Sequence, residues 1–203
     1  MKIILVDYGI GNLRSVKKAL EHVGAEVVQT SDPEVILTGD KVILPGVGAF
    51  KDGMNGLEAR GLIPVIDEVV RRKTPLLGIC LGMQLFLSGS SEMGDTQGLG
   101  YVKGAVKEFP GDDLKVPQTG WNQLEITSPN RLLRGIPDQT YVYFNHSFYC
   151  EPIDPDVTIA KTDYGIQYTS ALKFGSIYGV QFHPEKSQDA GLIILKNFLE
   201  VCQ

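Results

Sequence analysis

A chain of 203 residues, 43% hydrophobic and 21% charged, has the composition of one globular domain able to bury about 70% of its unfolded surface. Its formal charge of −5, with Arg71-Arg72-Lys73 as the densest basic cluster, argues against a nucleic-acid partner. Three cysteines without framework spacing, an acid as early as Asp7 and no apolar run longer than residues 76–87 predict a reducing, cytoplasmic setting with no signal peptide and no membrane contact.

The first half alternates strand and helix. Lys2–Val6 reads as a buried strand, followed by a helix capped by Asn12 that carries Leu13, Val16, Leu20 and Val23 on one face and closes at Gly24. Glu26–Thr30 and residues 41–44 are further strands, the latter expected to break at Pro45-Gly46. Residues 62–72 show helical spacing and end in the basic cluster, and 76–79 form an apolar strand. Continuous apolar strands separated by helices predict a parallel sheet covered on both faces.

From Leu99 onward the pattern changes to short strands, at 101–109, 121–127, 141–145, 157–162, 166–170 and 176–182. Turn clusters at 110–113 and 151–156 separate them, and an amphipathic helix over 188–202 closes the chain. The expected fold is a single three-layer α/β domain over residues 1–203. Its largely parallel central sheet is covered by helices on both faces, and its second half is antiparallel and β-rich.

The most informative stretch is Gly78-Ile79-Cys80-Leu81-Gly82-Met83-Gln84, an apolar strand running through a corner into a helix. Glycines two residues either side of Cys80 permit close backbone approach, the logic of a nucleophile elbow with sulfur in place of oxygen. A cysteine at such a helix start is favoured as the nucleophilic thiolate. A cysteine in an apolar run is by itself more often an inert core residue. Here a second apolar strand ends in His183-Pro184-Glu185, placing a base and an orienting carboxylate two residues apart. Nucleophile, base and orienter together predict acyl-transfer chemistry.

Other motifs are weaker. Pro45-Gly46-Val47-Gly48-Ala49-Phe50 follows a strand and opens a helix, and its glycines allow backbone N–H groups to point into a site. The same glycines lower the barrier to holding a peptide toward or away from an oxyanion, with the N–H of Leu81 as second donor. Tyr8-Gly9-Ile10-Gly11-Asn12 is similar to the start of a dinucleotide loop, but Arg14 stands where the third glycine belongs, so no nucleotide site is expected. No cofactor is expected, and no spacing suits a metal. His146 competes with His183 for the role of base but has no neighbouring carboxylate, and His22 reads as exposed.

The cysteine elbow and the His183-Pro184-Glu185 segment together resemble the class I (triad) glutamine amidotransferases over essentially the whole chain. Asp7–Leu13, the Pro45–Phe50 loop, Lys115-Val116-Pro117, Gly120-Trp121-Asn122 and His146-Ser147 are most similar to the branch that serves histidine biosynthesis. That resemblance implies a glutaminase in which Cys80 is the nucleophile, His183 the base and Glu185 its orienter. Gln84, Glu92, His146 and Ser147 would line a pocket for L-glutamine, and Gly48 and Leu81 the oxyanion region. Asn12, Trp121, Tyr143 and Lys186 would face a cyclase subunit of (β/α)₈-barrel fold in a heterodimer. Gln118-Thr119 stands where His-Met is usual, and Asn145 where an aliphatic residue is usual; both are expected near the partner face. A paralogous branch supplying ammonia for surface-sugar amidination, a Cys-His amidase or peptidase, and a non-catalytic binding subunit are the competing readings.

Overall fold

The computed structural model describes residues 1–110 and 114–202. The expected turn at 110–113 therefore lies outside the described residues from position 111. In chain order the elements are β1 Lys2–Val6, α1 Leu13–His22, β2 Glu26–Thr30, α2 Pro33–Ile36, β3 Lys41–Gly46, α3 Phe50–Ala59, α4 Ile63–Arg71, β4 Leu76–Cys80 and α5 Leu81–Gln84. Then follow β5 Leu87–Ser90, β6 Thr96–Gln97, β7 Val102–Glu108, β8 Gln118–Gln123, β9 Glu125–Ile126, β10 Tyr141–His146, β11 Phe148–Pro152, β12 Thr158–Asp163, β13 Gln167–Phe174, β14 Ile177–Val180 and α6 Gln188–Glu200.

One large sheet runs β2-β1-β3-β4-β14-β13-β11-β7-β5-β6, with β12 and β9 continuing from β13. The β2-β1-β3-β4-β14 segment is wholly parallel, and the chain turns antiparallel at β14–β13. Period-two alternation decides which face each side chain joins. Ile3 and Leu5 of β1 pack with Ile43, Leu77 and Ile79 beneath α1 and α6. Ile4 and Val6 pack with Val42, Leu44 and Leu76 against Phe50, Leu57, Val65, Ile66 and Val69 of α3 and α4. Helices thus cover both faces of the parallel segment, whose inner strands β1, β3, β4 and β14 are buried nearly throughout while β2 forms its partly exposed edge.

Two details differ from expectation. The β3 ladder continues through the Pro45 and Gly46 positions, which oppose Ile79 and Cys80 of β4. Proline is tolerated because β1 pairs with β3 only as far as Ile43, leaving Pro45 a single strand neighbour. The strand expected over 121–127 is two strands. β8 pairs with β10 in a separate two-stranded sheet, whereas β9 crosses to β12 in the main sheet, the chain changing sheets at the fully buried Leu124.

Candidate active site

Cys80 sits at the C-terminal end of β4 and adopts φ 53°, ψ −110°, a left-handed conformation that non-glycine residues rarely hold. Its surroundings enforce that corner. A Cβ on Gly82 would collide with the Leu44 carbonyl, and one on Gly78 with the Phe86 ring and the Met83 nitrogen. These two glycines therefore let α5 lie directly on β3 and β4, which forces the turn at Cys80 and lifts its side chain to the rim of the sheet.

A cavity of about 380 Å³ opens over the sulfur, the size of a small-molecule site. Gly48, Leu81, Gln84, Glu92, His146 and Ser147 all line it together with Cys80, so the six pocket positions are gathered from four separate stretches of chain. Gly48 holds φ +101°, a conformation suited to glycine. Glu92 Oε2 accepts the Phe50 N–H at 2.7 Å at the first turn of α3, which ties the cavity wall to the glycine loop.

His183 follows β14 and is 2% exposed. Its Nδ1–H donates to Glu185 Oε1 at 2.9 Å, while its Nε2 has no hydrogen-bond partner among the described residues. The loop backbone is clamped to β10: the His183 N–H donates to the Tyr143 carbonyl at 2.8 Å. Ser187 Oγ donates to the His183 carbonyl at 2.7 Å and accepts the Tyr143 N–H at 3.0 Å. Burial lowers the imidazole pKa, but the Cys80 sulfur and the Glu185 carboxylate outweigh it and raise the value, so the ring holds its proton. Neither His183 nor Glu185 lines the cavity itself.

His146 is a contrast. Its Nδ1 lies 2.8 Å from the Phe148 carbonyl, which only accepts, so Nδ1 carries the proton. Burial is the main cause of a pKa lowered to about 4, despite that hydrogen bond, with His183 adding repulsion. The rings of Phe109, Phe144 and Tyr168 surround it at 5.4–5.6 Å between centroids. His146 is a neutral member of the cavity wall.

On the outer surface, Trp121 is 45% exposed and meets Tyr143 edge-on at 6.1 Å, with Lys186 Nζ 5.4 Å from the Tyr143 ring centroid. Asn12 is exposed and caps α1 by accepting the Ser15 N–H. Gln118 corrects an expectation. It is buried and points inward, its Oε1 accepting from the Tyr168 hydroxyl at 2.9 Å, and that hydroxyl lies 3.3 Å from His146 Nε2. Asn145 pairs across the strands with Thr119 at 3.1 Å and lines the cavity. The unusual pair thus borders the site as well as the surface. Sequence reasoning missed Tyr168 and Gln181, and it named Gln118 for the partner face rather than for the cavity.

Matching the chain against protein-family models aligns residues 4–202 with "Glutamine amidotransferase class-I". The chain belongs to the class-I glutamine amidotransferase family. Among curated members it is 49% identical, over 98% of its length and 94% of the relative's, to "Imidazole glycerol phosphate synthase subunit HisH" of Moorella thermoacetica. It is 47% identical to the protein of the same name from Methanosarcina barkeri, over 99% of both chains. The amidotransferase fold recurs in solved structures at low identity. One is a putative GMP synthase component from Thermoplasma acidophilum, with TM-score 0.75, 23% identity, and coverage of 100% of this chain and 94% of that one. Another, PurLQS from Thermotoga maritima, has TM-score 0.76 and 18% identity, covering 100% and 99%.

Proposed function

We propose that this chain is the glutaminase subunit of imidazole glycerol phosphate synthase, releasing ammonia from glutamine for a cyclase partner in histidine biosynthesis. The observation that carries the chemistry is the strained Cys80 corner beneath the cavity, backed by the His183–Glu185 pair. Near-full-length identity to the curated relatives supports the choice of branch.

In this reading the Cys80 thiolate attacks the side-chain amide carbon of glutamine. The developing oxyanion is held by the Leu81 N–H and the loop around Gly48, where each donor is worth about 3–4 kcal/mol of barrier. His183 is buried with its proton in place. It delivers that proton to the departing nitrogen, so the C–N bond breaks, ammonia leaves and a γ-glutamyl thioester remains. The neutral ring then takes a proton from water, hydroxide adds to the thioester, and the thiolate departs as glutamate forms. Glu185 keeps Nδ1 protonated and leaves Nε2 to face the reaction. Gln84, Glu92, His146 and Ser147 hold the amino-acid part of glutamine.

Ammonia freed into water is protonated and lost as a nucleophile, so the chemistry calls for a partner seated over the site. Trp121, Tyr143, Lys186 and Asn12 form the proposed docking face for a (β/α)₈-barrel cyclase subunit. Cys80→Ser tests the reading. Glutamine-dependent synthesis by the two-subunit complex should fall below detection, while synthesis from added ammonium salt continues. Loss of both reactions would make Cys80 structural, and retention of both would remove it from the mechanism.

A further inference from the structure

Gln181 directly follows β14 and is completely buried although it carries a primary amide. Such a group is retained in a core only when its polar atoms find partners. Its backbone is fixed by donation from its N–H to the Ser170 carbonyl at 2.9 Å. Its side chain connects two residues of the site.

The direction of each hydrogen bond follows from one carbonyl. Phe148 O can only accept, so the Gln84 atom 2.8 Å away must be the amide nitrogen. The second N–H on that nitrogen meets Gln181 at 3.1 Å, so Gln181 presents its oxygen there. The other end of the Gln181 amide is then Nε2, and it points at Cys80 Sγ 3.6 Å away. A carbonyl on β11 therefore fixes Gln84, Gln84 fixes Gln181, and Gln181 donates to the nucleophile. Nothing in this relay depends on a choice of amide orientation.

We infer that Gln181 is a positioning residue that holds the Cys80 sulfur as a thiolate by a non-titrating hydrogen bond and ties it to the Gln84 wall of the cavity. This rests on the reading of Cys80 as nucleophile and adds to it. His183 must give up its proton during each turnover and so cannot steady the sulfur throughout. An amide N–H cannot be lost, so Gln181 supplies a constant donor both when the thiolate attacks and when it leaves the thioester.

The groups facing the sulfur allow a clean measurement. Tyr8 beyond β1, Cys150 on β11 and Tyr168 on β13 are all held neutral by burial, with values raised from normal. His146 on β10 is held neutral by a lowered value. Glu92 lies across the cavity wall bound to the Phe50 amide, and Glu185 is engaged by His183. The pH dependence of Cys80 alkylation therefore reports the sulfur and His183.

The experiment is alkylation of the full chain by iodoacetamide as a function of pH, with peptide mapping at Cys80, on wild type and Gln181→Met. The reagent is small and makes no use of the glutamine pocket. Gln181→Met should move the alkylation limb about one unit to higher pH and slow labelling at neutral pH about tenfold. In the two-subunit complex its glutaminase kcat should fall about tenfold with KM little changed. Should Gln181→Met fail to fold by near-ultraviolet circular dichroism, Gln84→Met serves instead. It removes the contact that aims the Gln181 amide and should shift the limb in the same direction by less. An unmoved limb in either folded variant overturns the inference. If instead wild-type Cys80 resists 6-diazo-5-oxo-norleucine, the nucleophile assignment itself fails, a result visible before any Gln181 variant is compared.

Discussion

The two buried histidines of the site, His183 and His146, are 2% and 6% exposed, yet they hold opposite charge states. Burial acts alike on both, disfavouring the imidazolium. What separates them is the partner on each ring. His183 has a carboxylate on Nδ1 and the Cys80 sulfur as an electrostatic partner, and these retain its proton. His146 has a carbonyl on Nδ1, a tyrosine hydroxyl near Nε2 and aromatic rings around it, and it stays neutral. One residue type in one small volume thus supplies a proton donor in one place and an uncharged wall in the other. Burial alone identifies neither role.

Substitution should separate the two sharply. His183→Asn removes the acid and base and should lower glutaminase kcat in the complex by about 10³–10⁴-fold. His146→Gln keeps a donor for the Phe148 carbonyl and should lose less than about tenfold, mostly in KM. Comparable losses in kcat for both variants would break the assignment. Next in size is Glu185→Gln, which leaves an oxygen able to orient Nδ1–H but removes the charge. Since Glu185 raises the His183 value, its neutralisation lowers that value, and the alkaline limb of kcat should move to lower pH with a loss of about 100-fold at the optimum. Steady-state glutamate release from pH 6 to 10 measures both effects, and an unmoved limb would remove Glu185 from control of the base.

The difference in how legible these residues were has a physical origin. Gly78, Cys80 and Gly82 fall in one five-residue motif and His183 and Glu185 stand two residues apart, so spacing along the chain exposes them. Gln181 acts on a sulfur 101 positions away, through a pairing of strands whose register no local pattern encodes. Gln118 is hard to read for a related reason. β8 reads Gln118-Thr119-Gly120-Trp121-Asn122-Gln123, polar or small on both faces apart from Trp121, so alternation does not reveal that Gln118 faces inward. Short strands such as β5 and β11 escaped because four or five residues with one or two polar members carry almost no periodic signal. The cavity positions Glu92 and Ser147 had no signal of their own and were named through family resemblance, whereas Gly48 was also marked by its glycine-rich strand–helix loop. Strands β1, β3 and β4 and helices α1 and α4 of the first half were readable, since burial on both sheet faces demands continuous apolar runs, whereas the single-turn α2 carried no periodic signal.

The smallest effect concerns stability rather than rate, and it again sets the two histidines against each other. His146 titrates near 4 in the folded protein against 6.5 for an ordinary histidine, so the unfolded chain takes up its proton first as pH falls. Its contribution is fully present above about pH 6.5 and is lost as pH drops toward 4, by up to about 1.4 kcal/mol per pH unit. His183 has the opposite sign. Its raised value makes it stabilising below pH 6.5, and that stability disappears only as pH rises through the folded-state value, so it is flat across the acid window. Urea unfolding at pH 7.0, 5.5 and 4.5 should therefore show wild type losing about 1 kcal/mol more per pH unit than His146→Gln, all other acid-sensitive groups cancelling in the difference. Parallel slopes for the two proteins would mean that His146 takes up its proton in the folded state, and the contrast between the two rings would fail at its neutral member.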